Sequence, residues 1–118
     1  MKRNTNPDYL NGVPELLILQ LLARRPMYGY ELSKAIVQAS GAVLDFGEGC
    51  IYPVLHRLEK DGHLTARREI AAGRSRVVYR VTASGRKRLA GSVTVWRSIV
   101  GAVNQVLLGE HDGKPATT

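Results

Sequence analysis

Three short helical patterns, two arginine-rich runs of strand character and a long closing helix with an apolar seam predict a mostly α (α+β) fold for this 118-residue chain. In that order they make a winged helix-turn-helix with a two-stranded β wing and a long C-terminal helix.

Residues 1–12 are polar and read as a flexible arm, residues 13–81 as the winged domain, residues 82–108 as the long helix and residues 109–118 as a disordered tail. Pro14 suits a first helical turn, and Leu16, Leu17, Leu19, Leu22 and Ala23 carry the helix on to Arg24, Arg25 and Pro26. A helix apolar nearly all round is buried on both sides, so contact with its own domain and with another subunit is expected. A second helix begins at Tyr28 or Gly29 and ends at Ser40-Gly41, with Tyr30, Leu32, Ile36 and Val37 turned to the core. Ala42 to Glu48 links it to the third.

The third helix carries Ile51, Val54, Leu55 and Leu58 at i, i+3, i+4, i+7, which leaves Tyr52, His56, Arg57 and Lys60 outward. Asp61-Gly62 stops it. Local rules for proline start this helix at Tyr52, with Pro53 in its first position. Two strands follow, Leu64 to Glu69 and Val77 to Val81, around a turn from Ala71 to Arg76 in which Arg74 and Arg76 flank Gly73.

The net charge of +7 is concentrated: ten Lys or Arg face three acids between His56 and Arg88, and the remainder of the chain is neutral. A basic stripe on a helix, a hairpin and the start of the next helix is a footprint for nucleic-acid phosphate. The plain alternative is a solvated basic face. A membrane surface is a poorer match, because no basic amphipathic helix with an apolar underside accompanies the charge.

Neither a signal peptide nor a membrane span is legible, which predicts a cytoplasmic, nucleoid-associated protein. One cysteine, Cys50, excludes an internal disulfide and a multi-cysteine zinc site, and no cofactor or metal is expected. His56, His63 and His111 have no partner at a catalytic spacing, so an enzyme is not expected.

Thr82 is a good N-cap for the last helix, Ala83 to about Leu108. Leu89, Val93, Trp96, Val100, Val103 and Leu107 form a pairing seam, and Val95, Ile99, Ala102 and Val106 widen it beyond what one small domain can cover. A homodimer is therefore predicted, with Leu16 and Leu19 of the first helix adding to the interface. The alternative is a monomer whose last helix packs on its own first helix. Gly91 and Gly101 weaken the helix and mark close approach or bending.

The strings PELLILQLLARRPMYGYELSKAI, FGEGCIYPVLHRLEKDGHL and RVVYRVTASGRKRL resemble the PadR family of bacterial transcriptional regulators, from about Val13 to Trp96. The tail of one helix resembles the family's small subgroup. The resemblance implies a homodimeric repressor that binds a palindromic operator in double-stranded DNA and is released by a small-molecule effector. It also starts the third helix around Gly47 and keeps Pro53 inside it, a reading favoured because Ile51 continues the apolar stripe. Small family members imply an aromatic effector bracketed by Trp96 and its symmetry mate, with Val100 beside it; packing at the dimer interface is the plainer role of Trp96. Two departures stand out: Cys50 occupies a position usually held by serine or threonine, and Glu48 brings a negative charge beside it.

DNA contacts divide by chemistry. Tyr52, His56 and Arg57 are expected at base edges, with Arg57 the reader of guanine. Gly49, Cys50 and Pro53 sit at the end of the helix whose free N–H groups point at DNA. Lys34, Lys60, Arg67 and Arg80 suit phosphate, and Arg74 and Arg76 a narrow minor groove. Tyr30 and Tyr79 fit equally as phosphate donors or as core tyrosines. Three further functions compete with the repressor: an architectural DNA-binding protein with little sequence preference, a protein-binding winged module, and a regulator that senses oxidants through Cys50.

Overall fold

The computed structural model describes residues 12–109, so most of the expected arm and nearly all of the expected tail lie outside the described residues. Chain order is α1 (Gly12–Arg24), β1 (Met27–Tyr28), α2 (Gly29–Ala39), α3 (Glu48–Lys60), β2 (Leu64–Ala71), β3 (Arg74–Val81) and α4 (Ala83–Leu108). The three strands form one antiparallel sheet in the order β1-β3-β2.

β1 was not anticipated. Met27 and Tyr28 pair with Tyr79 and Val78 of β3, and two residues are too few for an alternation to register in sequence. The wing is longer than its expected strands, because Ala71 pairs with Arg74 and the turn shrinks to Ala72-Gly73. Both turn residues have positive φ, 55° and 76°, the backbone that lets a two-residue hairpin follow the sheet's twist.

α1 lies at the centre of the core. Ile18 and Leu19 are fully enclosed with Leu32, Ile36, Ile51, Leu55 and Leu58, and Met27, Leu64, Tyr79 and Leu89 complete the cluster. Two interface assignments change as a result: Leu19 has no accessible surface and Leu89 is buried, so both serve the subunit's own core. Tyr30, expected in the core, is 49% exposed.

α3 starts where the family resemblance puts it. Gly47 caps it with an extended backbone, and its carbonyl accepts from Cys50 and Ile51 N–H groups at 2.9 and 3.0 Å. Pro53 lies inside the helix without breaking it. At the far end Gly62 takes φ 83°, while the His63 and Gly62 N–H groups donate to Leu58 and Glu59 at 2.8 and 3.0 Å. That paired closure is the Schellman arrangement.

The same turn anchors α4. Thr82 Oγ1 accepts from the Gly85 N–H at 3.0 Å and donates to the Gly62 carbonyl at 2.8 Å, and the Thr82 N–H donates to the His63 carbonyl at 3.1 Å. Beyond Val93 the helix leaves the core. Val95, Ile99, Val103, Val106, Leu107 and Leu108 are all exposed along it.

Candidate nucleic-acid interface

A helix advances about 100° per residue, which places Gly49, Tyr52, Pro53, His56 and Lys60 of α3 on one stripe opposite the buried Ile51, Val54, Leu55 and Leu58. Tyr52 is half-buried and the other four are exposed. Proline supplies no N–H to the Gly49 carbonyl, so that acceptor is left for water or a ligand on the exposed side.

Arg57 departs from expectation. It lies off the stripe, on the flank facing α1, and its Nη2 donates to Glu15 Oε1 at 2.7 Å. The cause is a lone carboxylate in a mostly apolar helix: Glu15 is only 7% exposed and a buried anion requires cations. Arg88 of α4 supplies the second, through Nε to Oε2 at 2.7 Å and Nη2 to Oε1 at 3.2 Å. Burial pushes the Glu15 carboxyl up, but hydrogen bonds and charge from Arg88 and Arg57 outweigh it and hold the group below its ordinary value. Cys50 is half-buried on the same side of α3 as Arg57.

A cleft of about 330 Å³ lies where α3 meets the wing and the start of α2. Tyr52 and His56 line it from α3, with ring centroids 6.2 Å apart, and Tyr28, Tyr30, Ser75, Arg76 and Tyr79 surround them. The Arg76 guanidinium stacks 4.3 Å from the Tyr28 ring, and its buried Nε has no hydrogen-bond partner among the described residues. The Tyr52 ring rests directly on Gly29, where a Cβ would overlap its hydroxyl. Tyr79 is 3% exposed, a core tyrosine whose hydroxyl is pushed up in pKa by burial. Of the two roles that fit it in sequence, the core one matches this burial, and its side also lines the cleft. Tyr30 stays at the surface with Lys34 Nζ 5.3 Å from its ring centroid.

The wing's charges are not equally free. Arg80 donates to Glu69 at 2.6 Å, which lowers the Glu69 pKa and raises that of Arg80, and Arg68 donates to Ser75 at 3.4 Å. Arg67 stands exposed on β2. Lys60 and Arg74 make no ion pair with the described residues, which leaves them open to phosphate.

On another side, α1 and α4 border a groove of about 810 Å³. Leu16, Trp96, Val100 and Val103 line it with Val95 and Ile99, while Glu15 and Arg88 lie among its lining residues. It brings together both expected effector residues and part of the expected dimer seam; Val93 is half-buried against the core and Leu107 is exposed beyond the groove. Glu15 was missed in the sequence. The signal was there, a lone acid among leucines, but its partners stand 42 and 73 residues away.

Among the described residues no group of His, Cys, Asp or Glu side chains could hold a metal ion, and no helix is long and apolar enough to cross a membrane.

Residues 18–91 match the model of the transcriptional regulator PadR-like family. Transcriptional regulator Rv3488 of Mycobacterium tuberculosis is 51% identical over 82 residues, which cover 70% of this chain and 74% of that protein. Among solved structures, a transcriptional regulator from Clostridium thermocellum superposes with a TM-score of 0.77 at 28% identity, over 84% of this chain and 97% of that one. Bacillus subtilis PadR, solved in complex with operator DNA, superposes with a TM-score of 0.62 at 27% identity over 69% of this chain and 46% of its own. A winged helix-turn-helix with a basic hairpin, a family match across most of its length and relatives named as regulators agree: this chain belongs to the PadR-like family of transcriptional regulators.

Proposed function

We propose that the protein is a homodimeric repressor that reads a palindromic operator with α3, clamps it with the wing, and is released by a small-molecule effector in the groove between α1 and α4. The observation that carries this reading is the exposed stripe of α3, Gly49 to Lys60, standing beside a wing tip whose Arg74 is unpaired among the described residues. Tyr52 and His56 reach base edges from that stripe. Lys60, Arg67 and Arg74 hold phosphate, and Arg76, stacked on Tyr28, is held ready for the same task.

Dimerisation is supported by the apolar face of α4, where Val95, Ile99, Val103 and Leu107 lie open to solvent on a single chain. A second copy of α4 covers that face with the chemistry it needs. The groove's apolar walls, with Trp96 among them, suit a flat aromatic effector.

Titrating the protein with a labelled duplex from the region upstream of its gene, and with a scrambled duplex of equal composition, across a salt series tests the reading. A preference of about a thousandfold or more is expected of a specific regulator. Equal, salt-sensitive binding would establish an architectural protein instead. Sedimentation of the free protein reads the dimer, and Val103→Asp is expected to leave monomers.

A further inference from the structure

Glu15 is the single buried acid among the described residues, and it joins three elements, α1, α3 and α4, through one carboxylate. Its two oxygens hold Arg57 on the recognition helix α3 and Arg88 on α4, each at 2.7 Å, while its own helix α1 forms one wall of the groove. Arg88 and Glu15 both line that groove; Arg57 lies on the flank of the stripe proposed to meet DNA. We propose that Glu15 is a positioning residue that couples the groove to the recognition helix, so that a change in how α4 sits against α1 alters α3 through one shared carboxylate.

The physical reason is that a nearly buried carboxylate cannot give up one arginine without tightening on the other or meeting water. Moving α4 away withdraws Arg88, leaving Arg57 as the sole partner and drawing the C-terminal half of α3 toward α1. Moving α3 onto DNA strains the Arg57 contact and shifts the balance toward Arg88. Binding linkage makes the effect reciprocal: whatever in the groove changes affinity for DNA, DNA must change in the groove. The inference rests on the DNA-binding reading of α3, and it concerns two residues, Glu15 and Arg88, that have no assigned contact with DNA.

Trp96 makes the coupling observable. It is the only tryptophan in the chain, and it lines the groove together with Glu15 and Arg88. The experiment excites Trp96 selectively in the full-length protein while the upstream duplex is added, with binding followed in parallel by anisotropy of a label on the duplex. Wild-type protein is expected to shift its Trp96 emission as the duplex saturates. Glu15→Gln and Arg88→Gln are expected to bind the duplex with their Trp96 emission unchanged. Emission that stays constant while wild-type protein binds overturns the inference, as does a shift that persists in both variants. Absence of binding by wild-type protein in the anisotropy channel overturns the DNA reading and this inference with it. Arg88→Gln keeps the Glu15–Arg57 pair, so it supplies the result should Glu15→Gln fail to fold.

Discussion

Gly85→Ala tests the junction where the recognition helix hands over to α4. Gly85 is buried in the first turn of α4, and a Cβ there would overlap the His63 carbonyl oxygen, come within 2.7 Å of Val81 Cγ2 and within 3.1 Å of the His63 carbonyl carbon. The obstacle is backbone and cannot swing aside. His63 is pinned by its own N–H on the Leu58 carbonyl at 2.8 Å and by the Thr82 N–H on its oxygen at 3.1 Å. α4 must therefore shift, and the Thr82 cap on the Gly85 N–H stretches with it. Overpacking costs about 1–3 kcal/mol and a weakened cap about 1 kcal/mol, against about 1 kcal/mol returned by alanine's better helix propensity. The net loss of about 1–3 kcal/mol lowers the melting temperature by roughly 4–15 °C for a chain of this size. Thermal denaturation at one fixed protein concentration reads it, with Gly49→Ala as the control, since nothing lies within 4 Å of a Cβ at Gly49. A Gly85→Ala protein that melts at or above the wild-type temperature would refute the reasoning.

Three other outcomes are expected. The Glu15 carboxyl titrates below its ordinary 4.5 in the folded protein, so the stability it contributes is complete above that value and is lost as pH falls through the folded pKa. Denaturant titrations at about pH 6 and about pH 3 should show a smaller acid loss for Glu15→Gln than for wild type, and parallel losses would reject the assignment. Arg74→Ala should flatten the salt dependence of DNA binding by about 0.9 in log–log slope, the signature of one lost phosphate contact, with the wing's ladder unaffected. Gly29→Ala displaces the Tyr52 ring, whose free end can swing, so melting should change little while the preference for the upstream duplex over a scrambled one falls; an unchanged preference would remove Tyr52 from base reading.

Periodicity made α3 legible through its one-sided apolar pattern of Ile51, Val54, Leu55 and Leu58, while α1 was legible from its near-continuous apolar run. The wing was legible from its β-branched run Val77-Val78, although its length was not, since polar Arg74 and Ser75 pair with Ala71 and Ile70 through backbone alone. β1 escaped notice because Met27 and Tyr28 are a strand only by virtue of β3 beside them. Outward residues of α3 could be named from their phase, whereas the turning of Arg57 toward α1 depended on an acid 42 residues earlier, a distance that local pattern does not span. Leu19 misled for a related reason: a helix apolar all round announces burial, and only packing reveals which side its own domain takes.

The winged domain draws part of its core and one of its ion pairs from α4. Leu89 completes the core around α1, and the Arg88–Glu15 pair closes a loop of 73 residues after the whole wing has been made. During synthesis the recognition helix and wing therefore emerge before the parts that hold them in place, and a chain cut after Val81 would lack Leu89, Arg88 and the Thr82 staple at once. Such a fragment leaves the α4-facing side of α1 uncovered and Glu15 with one cation, a loss to be set against the roughly 5–15 kcal/mol on which a small domain's survival depends. Truncation after the wing is therefore expected to yield a protease-sensitive fragment, because the last structural anchor of the winged domain lies beyond the wing itself.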